Sequence, residues 1–151
     1  MRIALGSDEA TELTAALERD LRERGHEVAL FGALSPGADE AWPSVGHAVA
    51  RAVASGGVDY GIVCCWTGTG VSIAANKVPG VRAALCGDAE TAAGARTWND
   101  ANVLALSLRA TSIPIAKAML DAWFGAAPTA DPKYAAMIEQ IQSTDLPVSR
   151  T

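Results

Sequence analysis

The sequence predicts an α/β fold in which helices cover both faces of a five-stranded parallel sheet. Short apolar runs alternate five times with helix-length amphipathic stretches, a pattern typical of parallel sheets with two buried faces. The chain has 151 residues, and neither a repeat nor a shift in composition divides it, so we expect a single domain over residues 1–151. Because half of the residues are apolar and only 5% are aromatic, Ala, Val, Leu and Ile must build the core.

The first half of the chain is predicted to contain three strands, each followed by a helix. Residues 3–5 form an apolar run that ends at Gly6, and residues 11–24 then carry apolar side chains at helical spacing until Gly25. The same signals predict a strand at 28–31, a loop at 32–39, a helix from Trp42-Pro43 to Ser55, a strand at 60–64 and a short helix at 71–77.

The second half continues the alternation after Pro79-Gly80. We predict strands at 81–86 and 102–106 with an Ala-rich helix at 89–98 between them. Two further helices are predicted at 111–124 and 131–142, separated by a break that begins at Pro128.

Charge and hydropathy exclude several classes of protein. The 12 Lys and Arg against 17 Asp and Glu give a net charge of −5 without a basic cluster, so nucleic acid is a poor partner. No apolar run reaches the roughly 18 residues of a membrane-spanning helix, and the first residues contain no signal-peptide core. The odd cysteine count argues against a disulfide framework and favours a reducing compartment. We therefore expect a cytoplasmic protein.

Two loops carry residues that could perform chemistry, because ligands bind at the carboxyl ends of parallel strands. The first loop is Gly6-Ser7-Asp8-Glu9, where two carboxylates follow the first strand. Asp8 and Glu9 thus lie near the binding edge of the sheet. An equally good interpretation is a solvated cap for the following helix.

The second loop, Cys65-Trp66-Thr67-Gly68-Thr69-Gly70-Val71-Ser72, leads from the third strand into a helix. The unpaired amides and the dipole at a helix start favour a thiolate, so Cys65 could act as a base or nucleophile. The glycines allow backbone N–H groups to hold a phosphate or an oxyanion. The loop matches neither a P-loop nor Gly-x-Gly-x-x-Gly, and simple burial is the alternative for Cys65. For Cys64 and Cys86 we favour burial.

Four strings in the sequence are typical of one enzyme family. They are Gly6-Ser7-Asp8, Cys65-x-Thr67-Gly68-x-Gly70-x-Ser72-Ile73-Ala74-Ala75-Asn76-Lys77, Val81-Arg82-Ala83-Ala84-Leu85-Cys86 and Asn99-Asp100-Ala101-Asn102-Val103-Leu104. Over about residues 1–124 the chain resembles the ribose-5-phosphate isomerase B and galactose-6-phosphate isomerase family. The resemblance implies a single Rossmann-like domain and a homodimer or dimer of dimers with shared active sites, whose C-terminal helix packs on a partner subunit. It also implies aldose–ketose isomerisation of a sugar phosphate through a cis-enediolate, without a metal or cofactor.

The resemblance also assigns roles by position. Cys65 would be the base that moves a proton between C1 and C2, and Thr67 would bind near the sugar oxygens. A carbon acid needs both a base and an oxyanion site. The enediolate oxygens would be stabilised by the backbone amides of Gly68, Thr69, Gly70 and Val71. The other expected substrate contacts are Asp8, Asn99, Arg109 and Lys133.

Four positions depart from the family pattern. Glu9 and Trp98 stand where the family commonly has histidines, and Trp66 replaces a glycine that usually follows the cysteine. Lys133 is the only candidate for the family's C-terminal arginines. Glu9 could open a sugar ring as a general acid or base if it is buried. Alternatively, Trp66 and Trp98 shorten the cavity for a tetrose 4-phosphate, whose phosphorylated O4 cannot close a furanose; Trp98 could equally stack on a sugar face or lie at an interface.

A catalytically silent sugar-phosphate-binding protein on the same scaffold is the competing interpretation, because both family histidines are replaced. Retention of Cys65 beside the whole glycine loop favours an enzyme. Thiol redox chemistry at Cys64-Cys65 is disfavoured, because adjacent strand residues point to opposite faces of a sheet. The sequence therefore predicts an isomerase with Cys65 as its base.

Overall fold

The computed structural model describes residues 1–145, which form one sheet of five parallel strands, six α-helices and a short 3₁₀ helix. The elements in chain order are β1 (Arg2–Ser7), α1 (Glu12–Glu23), β2 (Glu27–Gly32), α2 (Trp42–Ala54), β3 (Tyr60–Cys65), α3 (Thr69–Ala75), β4 (Ala83–Leu85), α4 (Ala89–Asn99), β5 (Val103–Ser107), α5 (Ile113–Gly125), α6 (Pro132–Gln142) and the 3₁₀ helix Ser143–Asp145. The predicted α/β class is confirmed. The last six residues of the predicted domain lie outside the described residues.

Every predicted element is present, and no bound differs from its predicted position by more than two residues within the described chain. The largest relative change is in β4, which is shorter than the predicted strand at 81–86. The Arg82 amide donates to the side-chain Oδ1 of Asn102 at 2.8 Å and not to a backbone carbonyl, so regular pairing begins one residue later.

The strand order β2-β1-β3-β5-β4 places a topological switch point between β1 and β3. From β1 the chain moves outward to β2 and then returns past β1 to β3 on the other side. Connections that leave in opposite directions open a crevice at the carboxyl ends of the two central strands. Ser7 pairs with Cys64 in the parallel register, so Asp8 and Cys65 follow at the same edge.

Two apolar layers, one on each face of the sheet, form the core. The layer under α1, α4 and α5 contains Cys64, Leu104 and Trp123. The layer under α2 and α3 contains Cys65 and Val71. Because successive strand residues point to opposite faces, the neighbouring cysteines belong to different layers. Burial of each large apolar side chain stabilises the fold by roughly 1.5–3 kcal/mol.

Helices α2 and α3 approach each other closely at Gly46. A Cβ at Gly46 would lie 2.7 Å from Ala74 Cβ and 2.9 Å from the Val71 carbonyl oxygen. No side chain fits in this space without a shift of one helix. Glycine at this position therefore sets the distance between α2 and the loop that begins α3.

Helix α6 lies on the outside of the domain, and none of its side chains is buried against the rest of residues 1–145. Met137 and Ile141 are apolar but 47% and 50% exposed. Residues 1–145 thus leave an apolar face of α6 uncovered. No helix in the described part of the chain is both long and apolar enough to cross a membrane.

Gly46→Ala should lower the free energy of unfolding by about 1–3 kcal/mol, because the new Cβ forces α2 away from α3. Gly125→Ala is the matched control, since Gly125 also belongs to a helix but a Cβ there meets nothing within 4 Å. Urea unfolding of both variants measures the difference. Equal stability of the two variants would show that the close approach is dispensable.

Candidate active site

The loop after β1 presents the carboxylate of Asp8 with one oxygen unused. The buried Ser7 hydroxyl donates to the Glu9 carbonyl at 2.7 Å and accepts from the Glu9 amide at 3.3 Å, which closes the loop tightly. Asp8 Oδ1 is buried but has no hydrogen-bond partner among residues 1–145. Burial raises the pKa of Asp8, a backbone hydrogen bond opposes the rise, and the Glu9 carboxylate adds to it. The loop therefore offers an acceptor for a ligand hydroxyl.

The turn after β3 is built around the carbonyl of Cys65. This oxygen accepts the Gly68 N–H at 3.2 Å and the Leu108 N–H at 2.9 Å. Gly68 has a φ of +76°, and a Cβ there would lie 2.6 Å from Leu85 Cδ1 and 2.8 Å from the Leu106 carbonyl carbon. Both the backbone conformation and the lack of space require glycine, which allows α3 to begin directly after the turn.

Trp66 is held through its carbonyl. That oxygen accepts the Ser107 hydroxyl at 2.9 Å and the Arg109 amide at 3.0 Å, both from the end of β5 and its following loop. The indole of Trp66 is 61% exposed, and the Arg109 side chain is exposed as well. The loops after β3 and β5 are thereby joined at the carboxyl edge of the sheet, which brings the Arg109 backbone beside the Cys65 turn.

Three backbone amides at the start of α3 are left without an acceptor within residues 1–145. The first helical bond runs from the Ser72 N–H to the Gly68 carbonyl at 3.3 Å, so the preceding amides of Thr69, Gly70 and Val71 remain free. The prediction that Gly68 also supplies a free amide is wrong, because its N–H is used inside the turn. Three amides are therefore available to a ligand, and Gly68 shapes the turn that precedes them.

A cavity of about 340 Å³ lies at this edge, lined by Asp8, Trp42, Cys65, Trp66, Thr67, Thr69 and Gly70. Cys65 is 5% exposed and reaches the cavity from the sheet. The hydroxyls of Thr67 and Thr69 lie 2.7 Å apart and share a hydrogen bond. Among the described residues, this lining includes no Lys, Arg or His. Residues 1–145 of one chain therefore supply a thiol, hydroxyls and a carboxylate, but no cation, to this cavity.

Trp42 is a wall of the cavity that the sequence pattern did not reveal. The pattern indicated only that a helix begins there. Helices that follow parallel strands begin at the carboxyl edge of the sheet, so the position of Trp42 at the start of α2 was the signal that could have identified it.

The other two cysteines are structural, as predicted. Burial raises the pKa of Cys64 to about 12, and the neighbouring Cys65 and Asp8 add to the rise. Burial raises the pKa of Cys86 to about 11, with a further contribution from Asp88. Both thiols therefore stay protonated near neutral pH. Cys65 is the cysteine that lines the cavity.

Glu9 does not reach the cavity in the single chain. Its side chain is exposed, and it is absent from the lining. The proposed ring-opening role depended on burial, and the structure does not meet that condition. The physical reason is the Ser7 hydrogen bonding, which ties down the Glu9 backbone and leaves its side chain outside.

Trp98, Asn99 and Lys133 also lie away from Cys65. Helix α4 packs on the face of the sheet opposite to the Cys65 side chain. It runs from the carboxyl end of β4 back to the amino end of β5, so its last residues, Trp98 and Asn99, cannot meet the turn after β3 in the same chain. They line a separate cavity of about 490 Å³ beside β4. Lys133 is on the exposed α6, where its Nζ lies 5.8 Å from the Tyr134 ring centre.

Leu85 links the second cavity to the turn after β3. This residue of the edge strand β4 lies against Gly68 and also lines the second cavity. Leu85, Trp98 and Ile73 are 41%, 51% and 60% exposed. Exposed apolar side chains beside an edge strand are typical of a protein–protein interface. We call these three residues the edge patch.

The fold and the cavity together define a class of protein: a single-domain α/β enzyme suited to moving a proton beside a carbonyl group. Such chemistry needs a base, an oxyanion site and a partner for neighbouring hydroxyls. The Cys65 thiol, the three amides of α3 and the Asp8 carboxylate fit these needs. Within residues 1–145 no group of three His, Cys, Asp or Glu side chains could hold a metal ion.

Comparison with known proteins identifies the family. The model of the ribose/galactose isomerase family matches residues 3–141. Ribose-5-phosphate isomerase B of Escherichia coli is 43% identical over 126 residues, which cover 83% of this chain and 84% of that protein. D-erythrulose-4-phosphate isomerase of Pectobacterium atrosepticum is 36% identical over 127 residues, with the same two coverages of 83% and 84%. The structure of ribose-5-phosphate isomerase B from Clostridium thermocellum superposes with a TM-score of 0.88 at 39% identity, covering 96% of this chain and 97% of that one. The chain belongs to the ribose/galactose isomerase family.

Asp8→Asn should raise the thermal stability at neutral pH, because it removes a charge that burial disfavours. Folding raises the pKa of this carboxyl group, so its ionised form destabilises the folded state. This cost disappears at pH values below the pKa that the group has in the unfolded chain. Because solvent screens a carboxylate that is only partly buried, we expect a gain below about 1 kcal/mol at pH 7, or at most roughly 2–4 °C in Tm, which shrinks as the pH falls towards about 4.

Thermal melts at several pH values measure this effect. Glu40→Gln, which neutralises an exposed carboxylate before α2, is the control and should leave Tm nearly unchanged. An Asp8→Asn variant that melts at or below the wild-type temperature at pH 7 would contradict the assignment of Asp8 as a group placed for ligand binding at a cost in stability.

Proposed function

We propose that the protein interconverts an aldose phosphate and a ketose phosphate through an enediolate, with Cys65 as the base. The observation that carries this proposal is the Cys65 thiol in one cavity with the start of α3, whose first amides are free. Membership of the ribose/galactose isomerase family supports it, since relatives are named as isomerases of ribose 5-phosphate and D-erythrulose 4-phosphate.

The proposed reaction balances within this site. The Cys65 thiolate takes the proton from C2 of the aldose, and the electron pair of that C–H bond forms the C1–C2 double bond while O1 becomes negative. The amides of Thr69, Gly70 and Val71 stabilise this charge. A proton then passes from O2 to O1, and the Cys65 thiol returns its proton to C1, which completes the ketose. No external oxidant or reductant is needed.

Asp8 and Thr67 supply the remaining polar contacts in this proposal. Asp8 Oδ1 is buried and accepts no hydrogen bond from residues 1–145, which costs free energy. A substrate hydroxyl that donates to this oxygen removes that cost. The Thr67 hydroxyl, already paired with Thr69, can rotate to donate to a sugar oxygen. These contacts orient the C2 proton towards Cys65.

The cavity favours a substrate that is already an open chain. Pentose and hexose phosphates close into rings, and opening a ring requires an acid or base. His26 packs on Phe124 at 4.7 Å, His47 is on α2, and neither lines the cavity. A tetrose 4-phosphate cannot close a furanose. We therefore infer a four-carbon sugar phosphate as the substrate, and the relative named for D-erythrulose 4-phosphate supports this choice.

A second copy of the chain completes the site. The phosphate needs a cation or further donors, which the lining within one chain does not provide. Asn99 and Lys133 can contribute only to the cavity of a partner, because they lie away from Cys65 in their own chain. The edge patch adjoins Gly68, and the uncovered face of α6 offers further contact area. We infer a homodimer or dimer of dimers with shared sites.

We also infer a cytoplasmic location. The three cysteines are free and buried in the described structure. A thiol that acts as a base must stay unoxidised, and the cytoplasm keeps thiols reduced.

Incubation in D2O with four-, five- and six-carbon sugar phosphates should replace the C1 or C2 proton with deuterium, fastest for the four-carbon substrate. Cys65→Ala should slow exchange by at least about 10²–10⁴-fold, because it removes the base. NMR follows the loss of the proton signal. Cys64→Ala is the matched control: it alters the adjacent cysteine on the opposite face and should retain exchange. Undiminished exchange in Cys65→Ala would exclude this thiol as the base, and binding without exchange by the wild type would indicate a silent binding protein.

Mixed oligomers of Cys65→Ala and Asn99→Ala should recover activity that each variant lacks alone. If each site combines Cys65 of one chain with Asn99 of another, half of the mixed dimers are hybrids with one intact site, so about a quarter of the wild-type rate returns. The mixture is refolded together and assayed. Cys65→Ala mixed with Cys65→Ser is the control and should recover nothing. Absence of recovery in the first mixture, with both variants folded, would refute a shared site.

A further inference from the structure

We propose that Trp42 determines the length of the sugar phosphate that the site accepts. This inference rests on the proposed isomerase function and extends it to a residue outside the proton transfer. Trp42 lines the same cavity as Asp8 and Cys65, yet an indole carries no group that can take a proton from carbon. Its contribution is the shape of the cavity, which the substrate must fit.

The indole of Trp42 occupies the space directly in front of Gly70. A Cβ at Gly70 would lie 2.9 Å from Cε3, 3.0 Å from Cδ2 and 3.3 Å from Cζ3 of the ring. The six-membered ring therefore packs on the Gly70 backbone, where a side chain would otherwise stand. Gly70 supplies one of the three free amides, so the ring lies beside the position of the enediolate oxygens. A substrate held by these amides therefore shares the cavity with the indole.

The backbone that carries this indole is held at two points. Asp39 accepts the Ala41 N–H at 2.9 Å and the Ser44 hydroxyl at 2.6 Å, which holds the first turn of α2. One turn later, Gly46 packs directly against Ala74 of α3. Because α2 is anchored at both points, the backbone of Trp42 cannot move away without disturbing the packing of two helices. A longer substrate gains room only if the indole, which is 45% exposed, leaves its contact with Gly70.

Selection by length follows from an aromatic wall near the reacting carbons. C1 and C2 must lie at Cys65, and the Trp42 indole, which lines the same cavity, limits the space left for the remaining carbons. A ring face packs well on the C–H groups of a short chain. Each additional carbon of a longer sugar phosphate must fit beside the indole. One methylene-sized group in a tight pocket changes the ratio of kcat/KM values by about 10–200-fold. Trp42 should therefore favour four-carbon over six-carbon substrates.

The test compares kcat/KM for four-, five- and six-carbon sugar phosphates in the wild type, Trp42→Ala and Trp42→Phe. Trp42→Ala should lower the preference for the four-carbon over the six-carbon substrate by at least about 10-fold. The change should come mainly from a lower KM for the longer substrate, because the base is untouched. Trp42→Phe should give an intermediate ratio. Ile115→Ala, which truncates a 41% exposed side chain on α5 outside the cavity, should keep the wild-type ratio.

The outcomes separate this inference from the function on which it rests. The role of Trp42 is overturned if the wild type is active but Trp42→Ala keeps the same ratio of kcat/KM for four-carbon over six-carbon substrates. It is also overturned if the wild type prefers six-carbon substrates. Both outcomes leave the isomerase function intact. A wild type that isomerises no sugar phosphate overturns both. If Trp42→Ala does not fold, Trp42→Phe decides: a lowered ratio supports the proposal and an unchanged ratio overturns it.

Discussion

The parallel pairing of β1 with β3 is the interaction on which the site depends. It sets Ser7 opposite Cys64, so two residues far apart in the sequence, Asp8 and Cys65, leave the sheet at one edge. The apolar layers on both faces hold these strands in register, because a slip by one residue would turn each buried side chain to the wrong face. The free carboxylate oxygen of Asp8 is tolerated because the rest of the fold is well packed.

The register also separates a structural cysteine from a functional one. Cys64 points into the layer under α1, α4 and α5, where burial raises its pKa to about 12. Cys65 points to the other face and ends its strand, so it meets both the cavity and the start of α3. The difference lies in position along the strand and not in residue type.

Most of the proposed oxyanion site is made of backbone. The carbonyl oxygens of Cys65 and Trp66 accept hydrogen bonds from the end of β5 and its following loop. The donors are backbone amides and one side chain, the Ser107 hydroxyl. This arrangement leaves the amides at the start of α3 free, and Thr69 and Gly70 line the cavity. Because backbone atoms form it, this part of the proposed site does not require a histidine.

The sequence by itself determined the α/β class, the five strands and six α-helices of residues 1–145 to within two residues, and the thiol beside a glycine turn. These features follow from the spacing of apolar residues and from local turn chemistry, whereas the 3₁₀ helix Ser143–Asp145 was not predicted. Only the tertiary structure decided which predicted residues meet. Trp42, which the pattern had not singled out, lines the same cavity as Cys65, and the Gly68 amide is hydrogen-bonded inside the turn. Glu9 is exposed, and Trp98 lines a different cavity. The physical reason is that contacts between distant segments depend on strand order, on the direction of each helix and on the face that it covers. Local spacing does not contain this information.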